Sequence, residues 1–236
     1  MKNIWQTGLG LVTLAAMVAA VYMALVGAPT EAEQGAVQRI FYFHVPCAMV
    51  TFASFGLVAI AGALYLWLGS QIWDDLEYAA VEVGMVFCTL VLITGSIWAK
   101  PIWGAWWTWD SRLTTTFILW LIYGGYLLLR AFGGDTPQVA RFAAVVGIIG
   151  ALDVPIIVVS VRLWRTIHPA VLLTRQGEHG LQDPRMVAAL LIAMLAFTTL
   201  FIWLLSLRFK MLRVHSRLTG LKRDLALWQA AGEGGR

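Results

Sequence analysis

Six long apolar runs decide most of what this chain can fold into. They cover about residues 8–27, 46–69, 79–99, 115–131, 142–160 and 187–207. Each lies in the range of about 17–25 residues that a helix needs to cross a bilayer. Composition agrees. The chain is 60% hydrophobic and 13% charged, whereas a soluble domain is roughly 45–50% apolar and about 25% charged. The expected fold is all-α, an integral membrane bundle of six transmembrane helices.

The breaks between runs have physical causes. Gly27-Ala28-Pro29-Thr30 stops the first helix, and Glu31 and Glu33 cannot stay in hydrocarbon. Asp74, Asp75 and Glu77 are expected to divide the second and third spans. Lys100-Pro101 ends the third, because proline cannot donate into the helix ladder and restricts the residue before it. Gly133 to Pro137 reads as a turn, and the polar stretch 161–186 separates the last two spans. The first run is longer than the apolar core of a secretory signal, and more spans follow, so it reads as a retained helix.

Six crossings put both termini on one side and loops one, three and five on the other. Lysine and arginine near span ends set orientation. The termini side carries Lys2, Arg130, Arg141, Arg208, Lys210, Arg213, Arg217, Lys222, Arg223 and Arg236. Opposite lie Arg39, Lys100, Arg112, Arg162, Arg165, Arg175 and Arg185. The dense cluster after the sixth span places both termini in the cytoplasm. The division is then a six-span membrane domain over 1–208, with an outer tryptophan-rich loop at 100–114, and a basic cytoplasmic tail over 209–236. That tail mixes basic and apolar residues, and suits either an anionic lipid surface or a docked partner. Arginines retained in the outer loops suggest acidic groups on a ligand.

Cys47 and Cys88 stand apart within apolar runs. They support no disulfide framework, zinc site or C-x-x-C redox motif. No basic run with interleaved aromatics points to nucleic acid.

The odd loops gather the chemistry. Trp103, Trp106, Trp107 and Trp109 fall within eight residues, followed by Asp110 and Arg112. An interfacial aromatic belt explains Trp5, Trp67, Trp73, Trp98 and Trp203, but a belt spreads over all helix ends rather than crowding one loop. His44 stands where the second span begins, and His168 follows the fifth at similar depth, with Trp164 on the same face if that segment is helical. Either histidine alone reads as an interfacial side chain bonded to a loop carbonyl. Together, flanking an aromatic platform, they suit the two axial positions of a haem iron. The tryptophans offer ring faces and edges to the porphyrin. Arg112, Arg162 and Arg165 offer planar forks to its propionates. Asp110 is expected to fix the loop by holding Arg112 or a backbone or indole N–H. Asp153 reads equally as an acceptor orienting an axial histidine or as a packing residue at the Pro155 break. His179 and His215 read as solvated.

At these residues the chain resembles a known family. WGAWWTWDSRLTTT is similar to the tryptophan-rich WWD motif of the haem-handling proteins of cytochrome c maturation. IFYFHVPCAM and LDVPIIVVSVRLWRTIHPA resemble the flanking histidine segments of the haem exporter protein C (CcmC) family, over about residues 35–205. Related WWD proteins are larger and have more spans. The resemblance implies a bacterial inner-membrane protein holding haem b on its periplasmic side, with His44 and His168 as axial ligands. It implies presentation of haem to the chaperone CcmE, and an assembly with CcmD and the ABC-type pair CcmA and CcmB. No catalytic acid or base is expected of the chain itself. Two other readings stay open: a haem lyase acting directly on apocytochrome, and a b-type membrane cytochrome for electron transfer. Pro169, directly after His168, leaves the local loop geometry open.

Overall fold

The computed structural model describes residues 4–164, 167, 168, 181 and 183–233. Among these, no strand occurs and helices dominate. The order is α1 (Ile4–Tyr22, prolonged by a π turn, Met23–Gly27), α2 (Phe41–Leu68, entered through a 3-10 turn, Ala36–Ile40), α3 (Gln71–Trp103), α4 (Ser111–Phe132), α5 (Pro137–Ala151), α6 (Asp153–Leu163) and α7 (Pro184–Glu233). Six helices are long and apolar enough to cross a membrane: Ile4–Gly27, Ala36–Leu68, Gln71–Trp103, Ser111–Phe132, Pro137–Leu163 and Pro184–Ala230. Each apolar run therefore corresponds to one helix, and each helix outlasts its run, because polar residues at the ends stay helical. α5 and α6 form one span, broken at Leu152 three residues before Pro155, a ring that cannot donate to the ladder.

The central core lies among α2, α3, α4 and α5. There Phe55 stacks on Tyr123 with ring centroids 3.8 Å apart, and Val58, Ala80, Val81 and Leu119 close around them. α1 packs on α7 through alanines: Ala20 and Ala24 meet Ala189, Ala193 and Ala196. Small side chains let two helices approach closely where lipid gives them no hydrophobic drive to associate.

The acidic group at 74–77 departs from expectation. The turn between α2 and α3 is only Gly69-Ser70, with Gly69 at φ 65° and its N–H on the Tyr65 carbonyl. Asp74, Asp75 and Glu77 lie inside α3 and are buried. They tolerate burial because most have partners. Arg130 of α4 grips Asp74 with two bonds of 2.7 and 3.1 Å. Arg213 and Ser216 of α7 bind Asp75 at 2.8 and 2.6 Å. Arg208 pairs with Glu82, and both Arg130 and Arg208 lie over the Tyr78 ring. Glu77 instead sits against Gly62 and Gly147, where an added Cβ would collide with its carboxylate.

The residues after the sixth apolar run also form no separate element. α7 continues unbroken to Glu233. Its segment 208–216 docks on α3 through the pairs just named, so this part of the tail has its partner within the chain.

Candidate functional site

The odd-loop end of the bundle is built by the starts of α2 and α4 and the ends of α3 and α6. α3 stops at Trp103 because Gly104 takes φ 75°, a left-handed cap that returns its N–H to the Lys100 carbonyl. α4 starts after Asp110, whose carboxylate accepts the Leu113 N–H at 2.9 Å. A backbone N–H is thus among the partners expected for Asp110, and its charge also reaches Arg112. The tryptophan loop is pinned at both ends between two long helices.

Within the loop, Trp107 is half-buried and meets Trp109 and Phe117 edge-on at 5.7 and 6.0 Å. Phe117 lies parallel to Trp120, and Trp120 donates to the Thr89 hydroxyl of α3 at 2.9 Å. Trp107, Trp109, Phe117 and Leu92 line an apolar hollow of about 320 Å³. Trp106 and Trp109 are exposed, at 59% and 74%. That leaves two large aromatic faces for something outside the chain. Trp103 faces His168 instead, its ring centroid 6.1 Å from the imidazole.

His44 lies in the first turn of α2, about two turns inside helical structure, because the 3-10 turn carries the helix back to Ala36. It is buried, edge-on to Trp98 at 5.8 Å, and its ring passes over Gly95, where a Cβ would lie 3.1 Å from Cε1. Its Nδ1 is 2.9 Å from the Thr94 hydroxyl oxygen. That hydroxyl has one hydrogen, and the Leu90 carbonyl takes it at 2.6 Å. With that hydrogen on Leu90, the Thr94 oxygen can accept from His44, an arrangement that has the imidazole proton on Nδ1 and the lone pair on Nε2.

His168 is half-buried. Arg112 Nη1 lies 3.3 Å from its Nδ1, and Nη2 lies 3.5 Å from the Val158 carbonyl. Guanidinium only donates, so Nδ1 of His168 is the acceptor here. His168 and Arg112 are also the ionisable groups whose charge reaches His44. The structure thus brings together His44, His168, Arg112 and the tryptophan loop.

Other expected residues lie apart. Helix α6 ends at Leu163 and Trp164 is extended, so Trp164 and His168 share no helix face. Trp164 and Arg162 are exposed. Arg165 and Pro169 lie outside the described residues, as do Arg175 and His179. Asp153 shows no bond to either histidine; it lies near Tyr123, with one oxygen buried and unpartnered. Three outer cations have work inside the chain: Arg39 binds the Ala24 and Ala28 carbonyls, Lys100 the Gly104 carbonyl, and Arg185 the Asp183 carboxylate. Arg112, among the described residues, faces a histidine.

Sequence reasoning missed Thr94 and Gly95, and counted Trp98 only as a belt residue. The available signal was Thr94-Gly95-Ser96, a small polar interruption of an apolar run.

The loop and the first turn of α4 hold five buried polar atoms with no partner among the described residues: Trp107 Nε1, Thr108 Oγ1, Ser111 Oγ, Arg112 Nε and Thr114 Oγ1. Buried donors are normally paired, so a cluster of unpaired ones beside exposed rings suits a ligand with both an apolar face and anionic groups.

Comparison with known proteins agrees in kind. The family model described as heme exporter protein C matches residues 1–223. The "Heme exporter protein C" of Bradyrhizobium diazoefficiens is 38% identical over 182 residues, covering 75% of this chain and 67% of that protein. The protein of the same name from Haemophilus influenzae is 35% identical over 200 residues, covering 84% and 80%. That of Escherichia coli K12 is 35% identical over 162 residues, covering 67% and 63%. A match over nearly the whole chain, together with six membrane-spanning helices, makes this a multi-pass member of the haem exporter protein C family.

Proposed function

We propose that this chain handles haem for cytochrome c maturation, holding haem b between His44 and His168 against the tryptophan loop and presenting it to the chaperone CcmE. The observation that supports this reading is that the charge of His168 reaches buried His44, beside a tryptophan stretch with exposed rings and unpaired buried polar atoms. Haem is the cargo here. Its iron brings four in-plane nitrogens, so two histidines complete its coordination. A bare cation would need more protein ligands, and among the described residues no group of three His, Cys, Asp or Glu side chains is assembled for one.

The chain's own residues have distinct tasks. His44 is set as a ligand through Nε2 by its Nδ1–H bond to Thr94. His168 becomes a matching ligand when Arg112 leaves its Nδ1, which also frees the guanidinium for a propionate. Trp107, Ser111 and Thr114 supply further donors at the loop. Trp106 and Trp109 cover the porphyrin edge while leaving it accessible, which suits a protein that must release what it binds. The surplus of lysine and arginine after the sixth span favours cytoplasmic termini and a haem site on the periplasmic side of the inner membrane. The resemblance supports CcmD, CcmA and CcmB as partners.

The test is an absorption spectrum of purified protein, oxidised and dithionite-reduced, for the wild type, His44→Ala, His168→Ala and Trp106→Ala. Sharp low-spin reduced bands in the wild type, lost or turned high-spin in each histidine variant, are expected. The Trp106 variant should keep its ligation but transfer haem to CcmE more slowly. Histidine variants with wild-type spectra would remove the axial assignment.

A further inference from the structure

α7 does not end where the membrane body ends. Its last bonds to α3 are made by Arg213 and Ser216, close to the first residues of that helix. The helix then continues to Glu233, about 25 Å further at about 1.5 Å per residue. From the docked segment onto this arm, Met211, Val214, Leu218, Leu221, Leu225 and Trp228 recur at alternating intervals of three and four. All six are between 52% and 78% exposed. This is the a/d spacing of a coiled-coil seam, and it lies on the far side of the helix from the face that carries Arg208, Leu212 and Ser216 against the body. The helix runs unbroken from its membrane-spanning part into this arm.

Charge selects the partner. In heptad register Arg217 falls at a g position and Lys222 at the following e position. A second copy in the same membrane must run parallel, and would set Arg217 against Lys222 of its neighbour on both flanks of the seam. We propose that the α7 arm is a docking seam for an acidic amphipathic helix of a different protein, with apolar residues at its own a and d positions and Asp or Glu beside them. The contact buries the stripe and pairs Arg217 and Lys222 with carboxylates. It lies on the termini side of the membrane, opposite the haem site, and does not depend on haem.

The experiment uses the full chain in phosphatidylcholine nanodiscs. Two fluorescein-labelled synthetic heptad peptides are titrated by anisotropy. Both carry Leu at a and d; one has Glu and the other Lys at e and g. The acidic peptide is expected to bind saturably and the basic one at least about tenfold more weakly, as like charges across a seam require. Leu221→Asp with Leu225→Asp should abolish binding, and Arg217→Glu with Lys222→Glu should transfer the preference to the basic peptide. Equal binding of both peptides, or of neither, overturns the proposal. So does efficient disulfide cross-linking between two copies of Leu221→Cys, which would make the occupant a second chain. Immobilisation of a spin label at that cysteine by phosphatidylglycerol discs alone would make the occupant the bilayer, and overturns it equally.

Discussion

His44 Nδ1 lies 2.9 Å from the Thr94 hydroxyl, and the direction of this hydrogen bond sets which imidazole nitrogen carries the proton. With Thr94's only hydrogen on the Leu90 carbonyl, its oxygen is left to accept the Nδ1–H of His44. Thr94→Val removes the acceptor while keeping the shape. Partners of this kind are worth about 10–100-fold in metal affinity. A loss of that size in haem affinity is expected by spectrophotometric titration, with Thr94→Ser near wild type. Unchanged affinity in the valine variant would show that the hydrogen bond does not prepare the ligand.

Gly95 makes room for the same ring. A Cβ there would stand 3.1 Å from His44 Cε1, closer than side chains normally approach. Gly95→Ala should tilt the imidazole and shift the reduced spectrum from low-spin toward high-spin. A glycine inside a helix costs about 0.5–1 kcal/mol against alanine, so the substitution should leave the helix itself no weaker. Circular dichroism separates the two effects: the helical signal is expected to stay while the haem spectrum changes.

Arg112 stands between two roles, with Nη1 on His168 and Nε buried and unpaired. If the guanidinium receives a propionate, its removal costs the charge-assisted bonds, about 1.5–3 kcal/mol. Arg112→Gln should therefore weaken haem binding by roughly 10–100-fold. Haem dimethyl ester, which has no free propionates, should bind the wild type and the variant about equally. A variant that still prefers free haem over its ester would assign the propionates to another residue.

The bundle was legible in the sequence because bilayer crossing is a demand on length and apolarity alone. The histidines and the tryptophan loop were legible because parity of crossings gathers odd loops on one face. Thr94 was not, since a threonine in an apolar run often bonds its own helix, and only the packing of α2 on α3 sets it under His44. The acids at 74–77, expected to divide two spans, lie inside α3 for a similar reason. Their partners Arg130 and Arg213 lie 56 and 138 residues away in sequence. Trp164 was tied to His168 by a helical spacing, and the helix ends one residue before Trp164.

The bidentate pair of Arg130 and Asp74 gives a stability prediction independent of the haem site. The side chains are 11% and 2% exposed, and the Arg130 guanidinium also covers the Tyr78 ring at 4.7 Å. Removing one member strands a buried charge, at a cost of about 3–5 kcal/mol. Arg130→Met should therefore lower the melting temperature in detergent by on the order of 10 °C. Removing both charges is cheaper than removing one, because no charge is then left unpaired in the core. Asp74→Leu combined with Arg130→Met should recover most of the loss. Because the pair lies at the opposite end of the bundle from His44, haem affinity measured below the transition should match wild type in both variants. A double variant no more stable than the single one would mean that Arg130 stabilises through Tyr78 and not through Asp74.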